Sequence, residues 1–311
     1  MTLRSTALYR IYFAPRSILE RTISRYPWTG PAIAECKRWI RHHLLPKGSA
    51  WVRVQSGLSS GMTMRLIFPE EAGVWRGEHE PDVQKAIATA VQPGWVVFDI
   101  GAAIGTFALG TARLVGDTGR VIAFDGDAVQ AGRLREHLAA NTLEKILHVV
   151  HAAVWSHASS SSIAFRCGTT RTQGGIEFGG VRPILANGEL VEAPVTSLDA
   201  YVEATRLTPQ LIKIDVEGAE IEVLRGGKEL FVSSRPLIIA EIHTESARDA
   251  AREWMREHAY SFSETILYDP VPVRLLAWPK ERDPGPWSSY ITESDISGIH
   301  GREQLVALLT V

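Results

Sequence analysis

The chain has little sulfur. Its 311 residues include two cysteines, Cys36 and Cys167, and four methionines. Two cysteines cannot build a disulfide framework, and these two lack metal-ligand spacing, so a reducing, cytoplasmic setting is expected. Long apolar runs are also missing. No stretch of about 18 apolar residues occurs, so no transmembrane helix is expected. Arg10 and Arg16 interrupt Ala7–Leu19, which argues against a signal peptide. Nor does one sign of charge dominate, because 33 Lys and Arg face 35 Asp and Glu for a net −2. The balance is uneven, however. Residues 1–50 carry nine basic side chains and two acids, which leaves the rest of the chain acidic. An acidic body without aromatic-flanked basic stretches disfavours nucleic acid as a partner. The basic segment fits either peripheral contact with a membrane or anionic surface, or helices with a solvated basic face packed on an acidic body.

What the chain does contain is enough apolar material, 45% of residues, to bury a sizeable core. Residues 1–50 read as a basic helical extension with helices over 1–46. Residues 51–69 read as a β-hairpin, since Trp51–Phe68 alternates around Gly57–Gly61. Residues 70–311 read as one α/β domain. There Glu70–Pro81 is a polar connection and Asp82–Val91 a helix. A helix over Ala128–Asn141 precedes a third strand over Ile146–Trp155 and a short extra strand over Ile163–Arg166. Gly168–Ala193 is rich in glycine and reads as a cover or a decoration. Later come a helix over Thr196–Thr205 with Ser197 as cap, a strand over Leu211–Glu217 and a helix over Ala219–Phe231. A strand over Pro236–His243 and a helix over Ser246–His258 follow. Closely spaced strands then end the chain (Tyr260–Leu267, Val273–Trp278, Ser288–Thr292). The expected fold is a mostly parallel seven-stranded sheet finished by a C-terminal antiparallel hairpin.

Val96–Asp125 organises the rest. Val96–Phe98 is an apolar run closed by Asp99, a turn carries Gly101 and Gly105, Thr106–Val115 has helical spacing, and Val121–Phe124 is a second apolar run ending on Asp125. Glycines at such a turn let backbone approach a ligand, and helix N–H groups face it. An acid after the next strand can accept from both hydroxyls of a ribose. The ligand is therefore expected to contain a nucleoside. A dinucleotide fingerprint would need G-x-G-x-x-G, whereas Ala103 stands where its middle glycine might fall. The turn looks instead like motif I of class I methyltransferases.

The second informative stretch is Leu211–Glu217, in which Lys213, Asp215 and Glu217 alternate with apolar residues. Charges on an interior strand are costly unless they pair or face a site. Glu241 and His243 end the next strand in the same way. With Asp99 and Asp125 these groups are expected to converge at the carboxyl ends of the strands. Three readings of that cluster stand. His243 or a carboxylate is a general base; Asp215, Glu241 and His243 bind a divalent cation such as Mg²⁺; or Lys213 and its carboxylates merely fix the strand ends.

The residues quoted so far resemble the FkbM-type methyltransferases. The resemblance runs through Gly77-Glu-His-Glu80-Pro81, Asp99-Ile-Gly-Ala-Ala-Ile-Gly-Thr-Phe107, Leu198-Asp199, Leu211-Ile-Lys-Ile-Asp-Val-Glu-Gly-Ala-Glu220, Arg235-Pro236 and Glu241-Ile-His243. It covers residues 65–265, and Lys-Ile-Asp-Val-Glu-Gly is its most specific part. It implies a class I Rossmann-like methyltransferase fold, S-adenosylmethionine as donor, and O-methylation of a hydroxyl on a sugar, glycan or secondary metabolite. By the same resemblance, Glu80, Gly101, Ala103, Gly105 and Asp125 hold the donor, and Asp215 and Glu217 sit near its methyl group. The donor-binding candidates are those five, Asp215, and Asp99 and Phe107 from either side of the glycine turn. His243, Asp215, Glu217 and Lys213 are the catalytic ones. Three positions depart from the pattern: Ala103 where Asn is common, Asp125 for Glu, and Gly126 for Pro. Alternatives from other classes are a nicotinamide oxidoreductase and a non-catalytic membrane- or glycan-binding module.

Overall fold

A computed structural model of the chain describes residues 48–167, 174–175, 189–267 and 270–285. The helices expected over 1–46, the strand expected over 288–292 and most of the glycine-rich segment lie outside the described residues. The chain divides into two compact units, one of residues 1–50, 66–72 and 296–311, the other of Trp51–Arg65 and Gly73–Asp295. The second unit carries every site residue discussed below.

Strands β1 (Gly48–Arg53) and β2 (Thr63–Phe68) pair as a two-stranded sheet, as the alternation around Gly57–Gly61 requires. A short helix α1 (Ala72–Arg76) occupies part of the expected polar connection. Helix α2 (Pro81–Ala90) begins on Pro81, whose fixed φ suits the first helical position. Then follow β3 (Val96–Ile100), α3 (Ala108–Val115), β4 (Arg120–Asp125), α4 (Ala128–Ala140) and β5 (Leu147–His151). Strands β6 (Ala153–Val154), β7 (Ser159–Cys167), β8 (Gly174–Gly175) and β9 (Glu189–Thr196) form a separate four-stranded sheet. The chain returns through α5 (Leu198–Thr205), β10 (Leu211–Ile214), α6 (Glu220–Arg225), α7 (Lys228–Ser233), β11 (Leu237–Ile242) and α8 (Glu245–Glu257). It closes with β12 (Tyr260–Ile266) and β13 (Val273–Pro279).

The main sheet has seven strands in the order β12-β13-β11-β10-β3-β4-β5. Its last five are mutually parallel, and β13 runs antiparallel to both β11 and β12. This is the expected architecture. From β3 the chain steps outward to β4 and β5, then crosses back to β10 on the other flank of β3. Ligands of open α/β sheets bind where the strand order reverses in this way, beyond the carboxyl ends. Register alone brings charges together there. Lys213 on β10 lies opposite Asp99 on β3, and Glu241 on β11 lies opposite Arg274 on β13.

Three expectations need correction. Strand β10 stops at Ile214, so Asp215 and Glu217 belong to the turn after it. The third strand splits, with β5 in the main sheet and β6 in the second one. The helix expected over Ala219–Phe231 breaks at Gly226-Gly227, because the chain must pass close to the Trp155 carbonyl oxygen. That oxygen lies 2.0 Å from where a Gly226 Cβ would sit.

Caps fix three helix starts, of which the sequence marks Ser197. Ser197 accepts from the Ala200 N–H at 3.2 Å, Asp127 from Val129 at 2.8 Å, and Thr244 from Ala247 at 3.1 Å. Asp199 accepts the Glu229 and Leu230 N–H groups at the start of α7, at 3.0 and 2.8 Å. The Leu198-Asp199 pair of the resemblance therefore serves packing, with Leu198 fully buried. Behind the strand ends, Phe98, Phe124 and Tyr201 meet edge to face with centroids 4.9–5.7 Å apart.

Candidate active site

Backbone builds the donor side. After Ile100 the chain turns through Gly101 (φ 77), where a Cβ would lie 1.8 Å from the Asp215 carbonyl oxygen, so only glycine fits. The Gly101 and Ala102 N–H groups donate to the Phe124 carbonyl at 2.9 and 3.0 Å. Ala103 adopts φ 46, a left-handed conformation that asparagine tolerates better than alanine. This accounts physically for the asparagine that the resemblance leads one to expect. The Ala103 N–H donates to Asp125 Oδ2 at 2.7 Å, and the Asp127 N–H to Oδ1 at 2.8 Å. Each oxygen keeps a lone pair for a neighbouring pair of hydroxyls. Burial pushes the Asp125 carboxyl up to about 7 against the pull of those two N–H groups.

A cavity opens at this point, lined by Gly101, Ala103, Asp125, Asp215 and Glu217, with Phe165 and Cys167 of β7 forming part of its wall. Four of the expected donor residues, Gly101, Ala103, Asp125 and Asp215, thus line it. Asp99, Gly105, Phe107 and Glu80 do not. Leu134 lies 2.1 Å from where a Gly105 Cβ would be, so Gly105 serves a tight packing contact. The Phe107 ring lies under Lys213 Nζ, 5.1 Å from its centroid.

Side chains build the other half. Lys213 Nζ lies 3.5 Å from Asp99 Oδ1 and 3.3 Å from Asp215 Oδ2, with the Lys213 and Asp99 side chains about 5% exposed. Burial works against the ammonium, but Asp215 and Asp99 outweigh it and raise the Lys213 pKa. Burial raises the Asp99 carboxyl, whereas Lys213 and His243 hold Asp215 below the usual range despite its burial. His243 turns Nδ1 to Glu220 Oε1 at 2.8 Å, and Glu220 is fully buried. Nε2 faces Glu217 Oε2 at 3.3 Å, Glu241 Oε1 at 3.4 Å and Asp215 Oδ1 at 3.8 Å. Burial disfavours a charged ring, yet Glu220, Glu241 and Glu217 push the His243 pKa up to about 11.

Glu217 takes a left-handed φ of 54 beyond the strand end, so it leaves the face that alternation assigns it. Burial and the neighbouring carboxylates, opposed by His243, push its pKa up to about 7. Arg274, only 4% exposed, gathers Glu80 at 3.0 Å, Asp82 and Glu241. Burial pushes Glu80 up to about 7 against Arg274. Sequence reasoning missed Arg274, Glu220, Phe165 and Cys167. A lone arginine within the apolar run of β13 was the available signal for the first. Glu220 stood inside a quoted motif without a role.

A glycine turn and an acid beside a cavity at the reversal of strand order define an α/β enzyme that binds a nucleoside-containing cofactor. The comparisons narrow that class. Residues 99–262, more than half of the chain, match the methyltransferase FkbM domain, and the protein belongs to that family. It is a methyltransferase, and neither the oxidoreductase nor the non-catalytic reading is favoured. Over 222 residues it is 28% identical to the hexuronic acid methyltransferase AglP of Haloferax volcanii, covering 68% of this chain and 82% of that protein. Solved structures similar to it include a methyltransferase FkbM from Methylobacillus flagellatus, with TM-score 0.42 and 15% identity over 63% of this chain and 54% of that one. A precorrin-6y C5,15-methyltransferase from Geobacter metallireducens gives TM-score 0.42 and 14% identity over 65% and 89% of the two chains. Among the described residues, no helix is long and apolar enough to cross a membrane.

Proposed function

We propose that the protein moves the methyl group of S-adenosylmethionine to a hydroxyl oxygen of a sugar or glycan. The observation that carries the donor assignment is Asp125, which presents both carboxylate oxygens at the cavity beside the Gly101–Ala103 turn. The sugar assignment is supported by the likeness to a hexuronic acid methyltransferase.

The chemistry asks little of the protein beyond alignment and removal of a proton. An acceptor oxygen behind the methyl carbon donates a lone pair to it. The carbon–sulfur bond breaks, its electron pair returns to sulfur, and S-adenosylhomocysteine leaves as a neutral thioether. The hydroxyl proton passes to Glu217, which lines the same cavity as the donor residues. Lys213 keeps Asp215 ionised at the cavity wall.

Calorimetric titration of the purified protein tests the donor. Micromolar binding of S-adenosylmethionine and S-adenosylhomocysteine, with none of NAD, is expected. Failure of both sulfur ligands to bind removes the reading. Magnesium dependence, the second reading, is tested by repeating the titration and the methyl-transfer assay in Mg²⁺ and in chelator. A panel of neutral hexosides, amino sugars and uronic acids then identifies the acceptor by methyl transfer.

A further inference from the structure

Two strand ends and one left-handed residue bring Asp215, Glu217 and His243 together. One carboxylate oxygen from each acid and one ring nitrogen of His243 lie within 4.8 Å of one another. Three observations separate this group from a plain ion-pair network. The His243 side chain is only 8% exposed, and its Nε2 has oxygens of Glu217, Glu241 and Asp215 at 3.3, 3.4 and 3.8 Å. All three exceed the roughly 2.7–3.2 Å of an ordinary N–H···O bond. The nitrogen thus lies among the three oxygens with no short bond to any one of them. Its other nitrogen is bonded to the buried Glu220 at 2.8 Å, the arrangement that orients metal-ligating histidines. Finally, seven linked carboxylates (Glu80, Asp82, Asp99, Asp215, Glu217, Glu220 and Glu241) face three cationic groups, Lys213, Arg274 and His243. Carboxylate oxygens gathered this closely around one imidazole nitrogen make a donor set that a divalent cation fits.

We propose that Asp215, Glu217 and His243 Nε2 bind one divalent cation, of the manganese kind in preference to magnesium. The imidazole nitrogen makes that choice. Magnesium is held through oxygen and keeps much of its water, whereas mixed nitrogen and carboxylate donors favour first-row ions. Glu241 stays outside the donor set because the group of mutually close ligand atoms is made by Asp215, Glu217 and His243, while Glu241 is drawn toward Arg274. Glu220 is a positioning residue that acts through the His243 ring. Three protein donors leave coordination positions open, and an acceptor hydroxyl bound there gives up its proton more readily. Glu217, ligating through one oxygen, keeps the other to receive that proton. This role rests on the methyl-transfer reading above, but binding of the ion does not.

The test is titration of chelator-treated, metal-free protein with Mn²⁺ in the absence of S-adenosylmethionine, counting free Mn²⁺ by its paramagnetic resonance. One ion per chain at micromolar affinity is expected, with Mg²⁺ at least tenfold weaker by competition. His243→Ala and Asp215→Asn should each lose at least tenfold in affinity, Glu220→Gln roughly 10–100-fold, and Glu241→Gln less than threefold. Each variant is first shown by circular dichroism and thermal melting to be folded. Failure of the wild-type chain to retain Mn²⁺ at millimolar concentration overturns the proposal. So does Mn²⁺ affinity unchanged in His243→Ala. Methyl transfer that persists in chelator overturns the role given to the ion and leaves the methyltransferase reading standing.

Discussion

The two halves of the crevice are made of different material. Around β3 and β4 the site is backbone: a glycine turn, a left-handed Ala103 and a single acid, Asp125, held by two N–H groups. Around β10, β11 and β13 it is side chain, with buried charges tied to one another by register and by turns. A backbone site is set by local geometry and tolerates change in the rest of the sheet. A site of mutually balanced charges stands or falls together, because removing one partner leaves another desolvated and unpaired.

That contrast can be tested by breaking each half separately. The largest effect is expected for Glu217→Gln. It should lower kcat by about 10²–10⁴-fold, the usual worth of a proton acceptor, while the donor Kd stays within threefold. Steady-state kinetics with donor titration distinguish the two quantities. Arg274→Met should cost about 3–5 kcal/mol of stability by leaving Glu80, Asp82 and Glu241 without their cation. Denaturant unfolding reads this, and a loss under about 1 kcal/mol would mean the charges relax independently. Asp125→Ala should act the opposite way to Glu217→Gln. It is expected to weaken S-adenosylmethionine binding by about 10–100-fold, from lost charge-assisted bonds to ribose worth about 1.5–3 kcal/mol, with the fold unaffected.

A smaller effect concerns Glu264 on β12, away from both halves. Despite partial burial, Arg252 and Arg248 hold its carboxyl below the usual value of 4.5. A depressed folded pKa gives stability that is present above the unfolded pKa and lost as pH falls through the folded one. Glu264→Gln should therefore lower stability at neutral pH by about 1 kcal/mol and flatten the decline below pH 4.5, as melting temperatures across that range would register. The smallest effect is expected for Ala103→Asn, which relieves a left-handed alanine and should stabilise the turn by under about 1 kcal/mol.

The same contrast explains what was legible in the sequence. Asp99, Gly101 and Asp125 could be placed from one chain segment, since a strand, a glycine turn and a terminal acid are local signals. Lys213, Asp215, Glu217, Glu241 and His243 could be assigned to strand ends by alternation. Their partners could not. Glu217 departs from the face alternation gives it because φ turns positive there. Arg274 reaches the site only through antiparallel pairing with β11, a register that nothing local specifies. Phe165 falls in the short strand read over Ile163–Arg166, but nothing local assigns that strand, or Cys167 at its end, to a second sheet beside the cavity.

Arg274 joins Asp82 across 192 positions of the sequence. Contacts of such separation carry a loop-closure cost and form late in folding. A chain emerging from the ribosome completes its glycine turn and Asp125 well before β13 is available. Until then Glu80, Asp82 and Glu241 have no guanidinium to balance them. A fragment ended ahead of β13 would accordingly keep the outline of a nucleoside-binding turn and lack a working acceptor half, which sets the shortest piece of this domain worth expressing.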